Sequence, residues 1–315
     1  MKRSAFSSWL APHLDHLVAV KRAGGASYAS QVVLLRAFDR HLTEQVARPP
    51  LSREHVVAYL ASLARLSPRA RDNAISAVWQ ALAHARHHGA PVEALPCRPA
   101  PPPAGLRVRQ PRILSAQEFQ LVVATARQLY GDSPFRTATI VTLLGLLYTT
   151  GIRIGEALAL DVHDLDIRDH ILTVRRGKFG KARALPLRVS VVAALQRYWW
   201  HPDHPRRGPL FASTLRRRLA HPTAWRAFRG ACRAARITLP LPRLHDLRHT
   251  FAVRRVVTWY AGGRDVNRLL PALSTYLGHV SVENTRCYLR ANGLLLEQAA
   301  ARFARQTTWL DRRAP

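Results

Sequence analysis

The segment RPAPPPAG, residues 98–105, sets four prolines within five positions. Proline has no amide hydrogen to give to a helix or a sheet ladder, and its ring fixes φ, so such a run continues neither element. It reads as an extended, semi-stiff connector. The chain is thereby divided into residues 1–97, a linker over 98–110, and residues 111–315. A length of 315 residues suffices for two domains that each bury a core.

Ahead of the linker the apolar residues recur at helical spacing. SYASQVVLLRAFDRHL (27–42) puts Val32, Leu35, Phe38 and Leu42 on one face. SREHVVAYLASLARL (52–66) starts on Ser52 as N-cap, with Glu54 one position short of a capping box, and RDNAISAVWQALAHARHHG (71–89) stops at Gly89. The first unit is expected to be a small all-α domain. After the linker, SAQEFQLVVATARQLYG (115–131) has the capping pair Ser115 and Glu118 and a glycine stop. The period changes in HILTVRRGKFGKARALPLR (170–188), where alternating residues flank a Gly-Lys-Phe-Gly-Lys turn, the pattern of a β-hairpin. The fold expected is mainly α with one small antiparallel sheet.

The formal charge of +29 is spread along the whole chain, while 48% of residues are apolar. A field of that size favours a polyanion as partner, and the apolar content excludes a disordered basic tail. Cys97, Cys232 and Cys287 are scattered, with neither a disulfide framework nor metal-ligand spacing, which fits a reducing cytoplasm. The N-terminal stretch lacks a signal-peptide core. The run ATIVTLLGLLY (138–148) is too short to span a bilayer and is expected to be a buried helix.

Of 48 basic residues only four are lysine: Lys2, Lys21, Lys178 and Lys181. Arginine keeps its proton at accessible pH, whereas a lysine beside other cations can release one. Two lysines in the hairpin turn therefore suggest proton donation as well as charge. In TTGIRIGEALAL (149–160), Arg153 follows Gly151 and precedes Glu156 by one turn; it either pairs with Glu156 or clamps a phosphate. In LHDLRHTFA (244–252), His245 and Arg248 share a helix face, while His249 points elsewhere and Asp246 projects from another face. No His-Glu-x-x-His arrangement occurs there, so a zinc-protease site is excluded. Finally, YLGHVSVENTRCYLR (276–290) carries His279 and, nine residues on, Tyr288. If these groups converge, two arginines and two histidines surround one phosphodiester and stabilise a five-coordinate transition state. Tyr288 attacks as a phenolate and Lys178 protonates the leaving oxygen, with no metal or other cofactor needed.

With these four motifs in this order, the sequence resembles the tyrosine recombinases, the family of phage integrases and related transposases. The resemblance covers residues 110 to 315 directly; the N-terminal domain resembles the family's core-binding domain in size and pattern. It implies a two-domain C-shaped clamp on double-stranded DNA, acting as a homo-tetramer, with partner recombinases left open. It implies Tyr288 as nucleophile of a 3′-phosphotyrosyl link, and Arg153, Arg248, His245 and His279 around the phosphate. Lys178 is implied as general acid and Glu156 as an orienting acid, and Lys178, Lys181 and Arg183 as DNA-contacting residues of the hairpin. The extra piece LLPALSTY (269–276) is similar to mobile-element recombinases, which favours integration or transposition. The C-terminal segment LLLEQAAARFARQTTWL (294–310) is helical in spacing and docks either on a neighbouring protomer or on its own domain. An inactive DNA-binding accessory protein and a relaxing topoisomerase remain as alternatives.

Overall fold

The structure is a computed structural model that describes residues 4–46, 48–93, 98–99, 110–175, 182–278 and 285. The chain forms two compact units, Met1–Arg109 and Gln110–Pro315.

The first unit contains helices α1 (Ala11–Ala23), α2 (Ala29–Gln45), α3 (Arg53–Ser62) and α4 (Pro68–His87). Val32, Leu35, Phe38 and Leu42 of α2 are all buried, as their spacing predicts, and face Val78, Leu82 and Ala85 of α4 in one core. Each such leucine or phenylalanine contributes roughly 1.5–3 kcal/mol of burial. Helix α1 is an addition to the sequence reading. Pro12 sits in its first turn, where the missing amide costs nothing, and Leu14, Leu17 and Val18 are its buried stripe. The chain entering it is anchored by buried Asp39, which accepts from the amides of Ser7 at 2.7 Å and Ser8 at 3.0 Å. At α3 the box that Glu54 cannot close is closed by His55. Its Nδ1 accepts from the Ser52 amide at 3.2 Å while Ser52 Oγ accepts from the His55 amide at 3.3 Å.

The second unit continues with α5 (Ala116–Leu129), α6 (Pro134–Thr150), α7 (Ile154–Ala159), and strands β1 (Leu165–Asp166), β2 (Ile171–Val174) and β3 (Arg183–Pro186). Helices α8 (Val189–Trp199), α9 (His221–Ala234), α10 (Leu244–Ala261) and α11 (Val266–Leu277) follow. The expected capping box forms at α5: Glu118 N donates to Ser115 Oγ at 3.0 Å and Ser115 N to Glu118 Oε2 at 2.8 Å. The apolar run 138–148 lies inside α6, which is the central helix and packs on α5, α8 and α10. Among the described residues no helix is long and apolar enough to cross a membrane.

The sheet is antiparallel in the order β1-β2-β3, with Leu172 opposite Leu185 and Val174 opposite Arg183. Leu172 and Leu185 are fully buried, which fixes the register, since a slip of one residue would turn both to solvent. Arg183 thus opens β3. Helix α6 ends at Gly151 with φ +64°, and a Cβ there would lie 2.5 Å from Cδ1 of Phe251. Only glycine combines that backbone with so close an approach of α10. The LLPALSTY piece belongs to α11, where Leu270, Leu273 and Leu277 pack on Phe251, Val253 and Val256.

Candidate active site

Three segments distant in sequence meet around the end of α11. The first is the α6–α7 junction. Arg153 is the N-cap of α7; its Nη1 donates to Glu156 Oε1 at 2.8 Å and its Nη2 to the carbonyl of Gly278 at 2.9 Å. Glu156 also accepts from the Arg153 amide at 3.2 Å. The two roles weighed for Arg153 are therefore compatible. Pairing with Glu156 holds the planar guanidinium in place, and its side chain keeps 23% exposure for a ligand.

The second segment is the first turn of α10. Arg248 is buried, at 2% exposure, and donates from Nη1 to the Gly151 carbonyl at 2.9 Å and from Nη2 to the Leu277 carbonyl at 2.6 Å. The two guanidinium groups thus grip consecutive carbonyls, Leu277 and Gly278, at the turn that leads into His279. His245, one turn before Arg248, keeps an exposed face. Crowding by surrounding protein, then the charge of Arg248, holds its pKa below the ordinary histidine range, and Arg153 acts in the same direction. The imidazole is neutral at neutral pH, with one nitrogen to donate and one to accept. His249 stacks edge-on against it, ring centroids 4.9 Å apart, and burial pushes its pKa down to about 4. Asp246, fully buried, caps its own helix by accepting from the Arg243 amide at 2.8 Å and from Arg243 Nη2 at 2.9 Å.

The third segment is β3. Arg183, expected among the hairpin's DNA-contacting residues, is turned inward: its side chain is 11% exposed and its guanidinium is committed. Nη2 donates to Glu156 Oε2 at 2.6 Å, Nη1 to Glu156 Oε1 at 3.2 Å, and Nε to the carbonyl of Tyr276 at 3.0 Å. It is framework, linking the hairpin to α7 and α11. The sequence reading missed this role because Glu156 lies 27 residues away. Burial raises the Glu156 pKa, but hydrogen bonds and charge from Arg183 and then Arg153 outweigh it and hold the carboxyl below the usual range.

Lys178, Lys181, His279 and Tyr288 lie outside the described residues. Two hollows of about 690 and 290 Å³ occur in this unit, and neither is lined by Arg153, His245 or Arg248.

Among the described residues this is a helical fold with one small sheet, in which Glu156 buttresses Arg153 and Arg183 while Arg153 and Arg248 hold one turn. A family model, the phage integrase family, matches residues 112–293. The chain belongs to that family, the tyrosine recombinases. It is 31% identical over 309 residues to the putative integrase/recombinase y4rE of Sinorhizobium fredii, covering 95% of this chain and 97% of that one. It is 32% identical to the tyrosine recombinase XerD of Mycobacterium tuberculosis, covering 88% and 90%. Its fold is shared with the Tn1549 transposon integrase in complex with a circular intermediate DNA, at 15% identity, TM-score 0.66 and coverage of 95% and 100%. A lambda integrase dimer bound to a COC' core site has a TM-score of 0.63 at 18% identity, with coverage of 90% and 95%.

Proposed function

We propose that the chain is a site-specific recombinase that cuts and rejoins double-stranded DNA through a 3′-phosphotyrosyl link at Tyr288, in the service of a mobile element. The observation that carries this reading is the paired grip of Arg153 and Arg248 on the Gly278 and Leu277 carbonyls, beside the exposed face of His245.

In this mechanism a phosphodiester binds against the guanidinium groups, whose charge is fixed before the reaction begins and therefore costs no reorganisation in the transition state. Tyr288 Oη, its proton given up to water, attacks phosphorus as a phenolate. The bond to the 5′ oxygen breaks, and Lys178 delivers a proton to that oxygen. The link conserves the energy of the broken ester, so the reverse attack by a 5′ hydroxyl reseals the strand without nucleotide hydrolysis. His245 and His279 supply hydrogen bonds to the non-bridging oxygens. Positive charge comes from guanidinium groups, so no metal is assigned a step.

The net charge of +29 fits a partner that presents many phosphates. Solved relatives include a lambda integrase tetramer bound to a Holliday junction, which supports a homo-tetramer on DNA here. The transposon integrase among the fold relatives supports the mobile-element role. The proposed setting is the cytoplasm, where that DNA is found.

The test is a nicked suicide oligonucleotide carrying the DNA that flanks the gene's ends. The wild-type chain becomes covalently attached and Tyr288→Phe does not. Binding without attachment by either protein would instead mark an accessory protein of the same fold.

A further inference from the structure

The first unit gathers histidines from opposite ends of its sequence. His16 lies on α1; His84 and His88 lie at the end of α4, four residues apart and so on one face one turn from each other. Nδ1 of His16 is 3.0 Å from Nε2 of His84. The ring centroids are 5.0 Å apart for His16 and His84, 4.7 Å for His16 and His88, and 4.4 Å for His84 and His88. One nitrogen from each ring lies within 4.8 Å of the other two. Buried Leu14 and Leu17 of α1 and Leu82 and Ala85 of α4 hold the two helices together beneath the cluster. His84 is half-buried, and His16 and His88 are open to solvent.

A neutral imidazole has one donor and one acceptor nitrogen, so His16 and His84 share one hydrogen bond in which one ring donates to the other, and the tautomers that turn a lone pair of each ring inward are the ones a cation selects. Three protonated rings would add charge to a chain already at +29. A metal cation accepts all three lone pairs at once. Imidazole donors suit zinc, copper and nickel, while calcium and magnesium require oxygen. Tetrahedral zinc holds nitrogen at roughly 2.0–2.1 Å, which sets the nitrogens about 3.3 Å apart. One pair already stands at 3.0 Å, and all three ligand atoms lie within 4.8 Å of one another. The end of α4 adds to this, because the last-turn carbonyls favour a cation there.

We propose that His16, His84 and His88 form a binding site for one divalent transition-metal ion of the zinc class, which staples α1 to α4 in the first unit. Water completes the coordination. The role is structural, adding a cross-link to the apolar stripe and the Asp39 anchor that already hold the first helix, and it is independent of the strand-cleavage reading.

The experiment uses the metal-stripped full chain. Zn²⁺ titrated by calorimetry binds one equivalent at this site, and Co²⁺ in its place gives the intense visible absorption of a four-coordinate ion. His16→Ala, His84→Ala and His88→Ala each weaken binding at least about tenfold, since loss of even an outer-shell partner typically costs 10–100-fold. His163→Ala, at the unrelated Asp161, His163 and Asp164 cluster, leaves it unchanged. Zn²⁺ raises the melting temperature of the wild type and not of the three variants, whose metal-free helical content by circular dichroism matches the wild type. Where an alanine variant unfolds, His84→Gln and His16→Asn replace it. Absence of saturable Zn²⁺ binding overturns the proposal. So does binding that survives the triple alanine variant, or binding lost in His163→Ala.

Discussion

Arg183 donates to both carboxylate oxygens of Glu156, Nη2 to Oε2 at 2.6 Å and Nη1 to Oε1 at 3.2 Å. The same carboxylate accepts from Arg153, so one buried acid holds two cations in fixed positions. Of the two, Arg153 keeps a face for a ligand and Arg183 does not. The hairpin strand, α7 and the end of α11 are thereby tied into one rigid block, and the ligand-facing guanidinium inherits its rigidity.

Removing Glu156 leaves two buried or half-buried guanidinium groups uncompensated. Glu156→Ala is expected to destabilise the second unit by about 3–5 kcal/mol, the usual cost of breaking a buried pair from one side. Urea unfolding measures it, and a loss below about 1 kcal/mol would show that the three residues do not act as a unit. Because the folded carboxyl is held below its unfolded value near 4.3, its contribution is complete above that pH. It is lost as pH falls through the folded pKa, and this acid-side loss should be absent in the variant.

His249 supplies a second pH dependence. Its folded pKa of about 4 lies below the unfolded value near 6.5, so the unfolded chain binds the proton first. Stability should be full above pH about 6.5 and decline as pH falls toward about 4. His249→Gln should flatten that interval in a series of unfolding curves; an unchanged slope would place the proton uptake elsewhere.

Gly151→Ala tests the α6–α7 turn. A methyl group there meets Phe251 at 2.5 Å on a backbone with φ +64°. A loss of roughly 1–3 kcal/mol in thermal unfolding is expected from strain and overpacking together. The Gly151 carbonyl is an acceptor for Arg248, so cleavage should fall further than stability alone explains. Equal activity per folded molecule would show that this carbonyl does not position the arginine.

Lys178→Ala should slow cleavage of an ordinary substrate by about 10²–10⁴-fold, the range of general acid catalysis. A 5′-bridging sulfur leaves without protonation and should recover much of that loss in single-turnover kinetics. Absence of recovery would move the acid elsewhere, with Lys181 the next residue to test.

Local signals made much of this legible in advance. Ser115 and Glu118 cap α5 as written, alternation marks β2 and β3, and glycine at 151 ends α6. The convergence of Arg153 and Arg248 was expected from residue chemistry, and the carbonyls they hold were not, because a backbone acceptor leaves no trace in side-chain identity. The inward contacts of Arg183 are illegible in sequence for a related reason. Alternation puts it beside the turn, but only the fold brings Glu156 to it. The histidine cluster is illegible in sequence because His16 and His84 are 68 residues apart, and each alone is an ordinary surface histidine. Helix α1 is faint in the sequence because its three buried residues, Leu14, Leu17 and Val18, make a narrow stripe.

The most direct measurement is the identity of both ends of the trapped complex. Covalent complex from a suicide substrate is digested, and the nucleotide-bearing peptide is sequenced by mass spectrometry while the cut DNA is end-labelled. The account predicts the adduct on Tyr288, with the protein on the 3′ phosphate and a free 5′ hydroxyl on the other fragment. An adduct on any other residue, or a protein-blocked 5′ end, would contradict it.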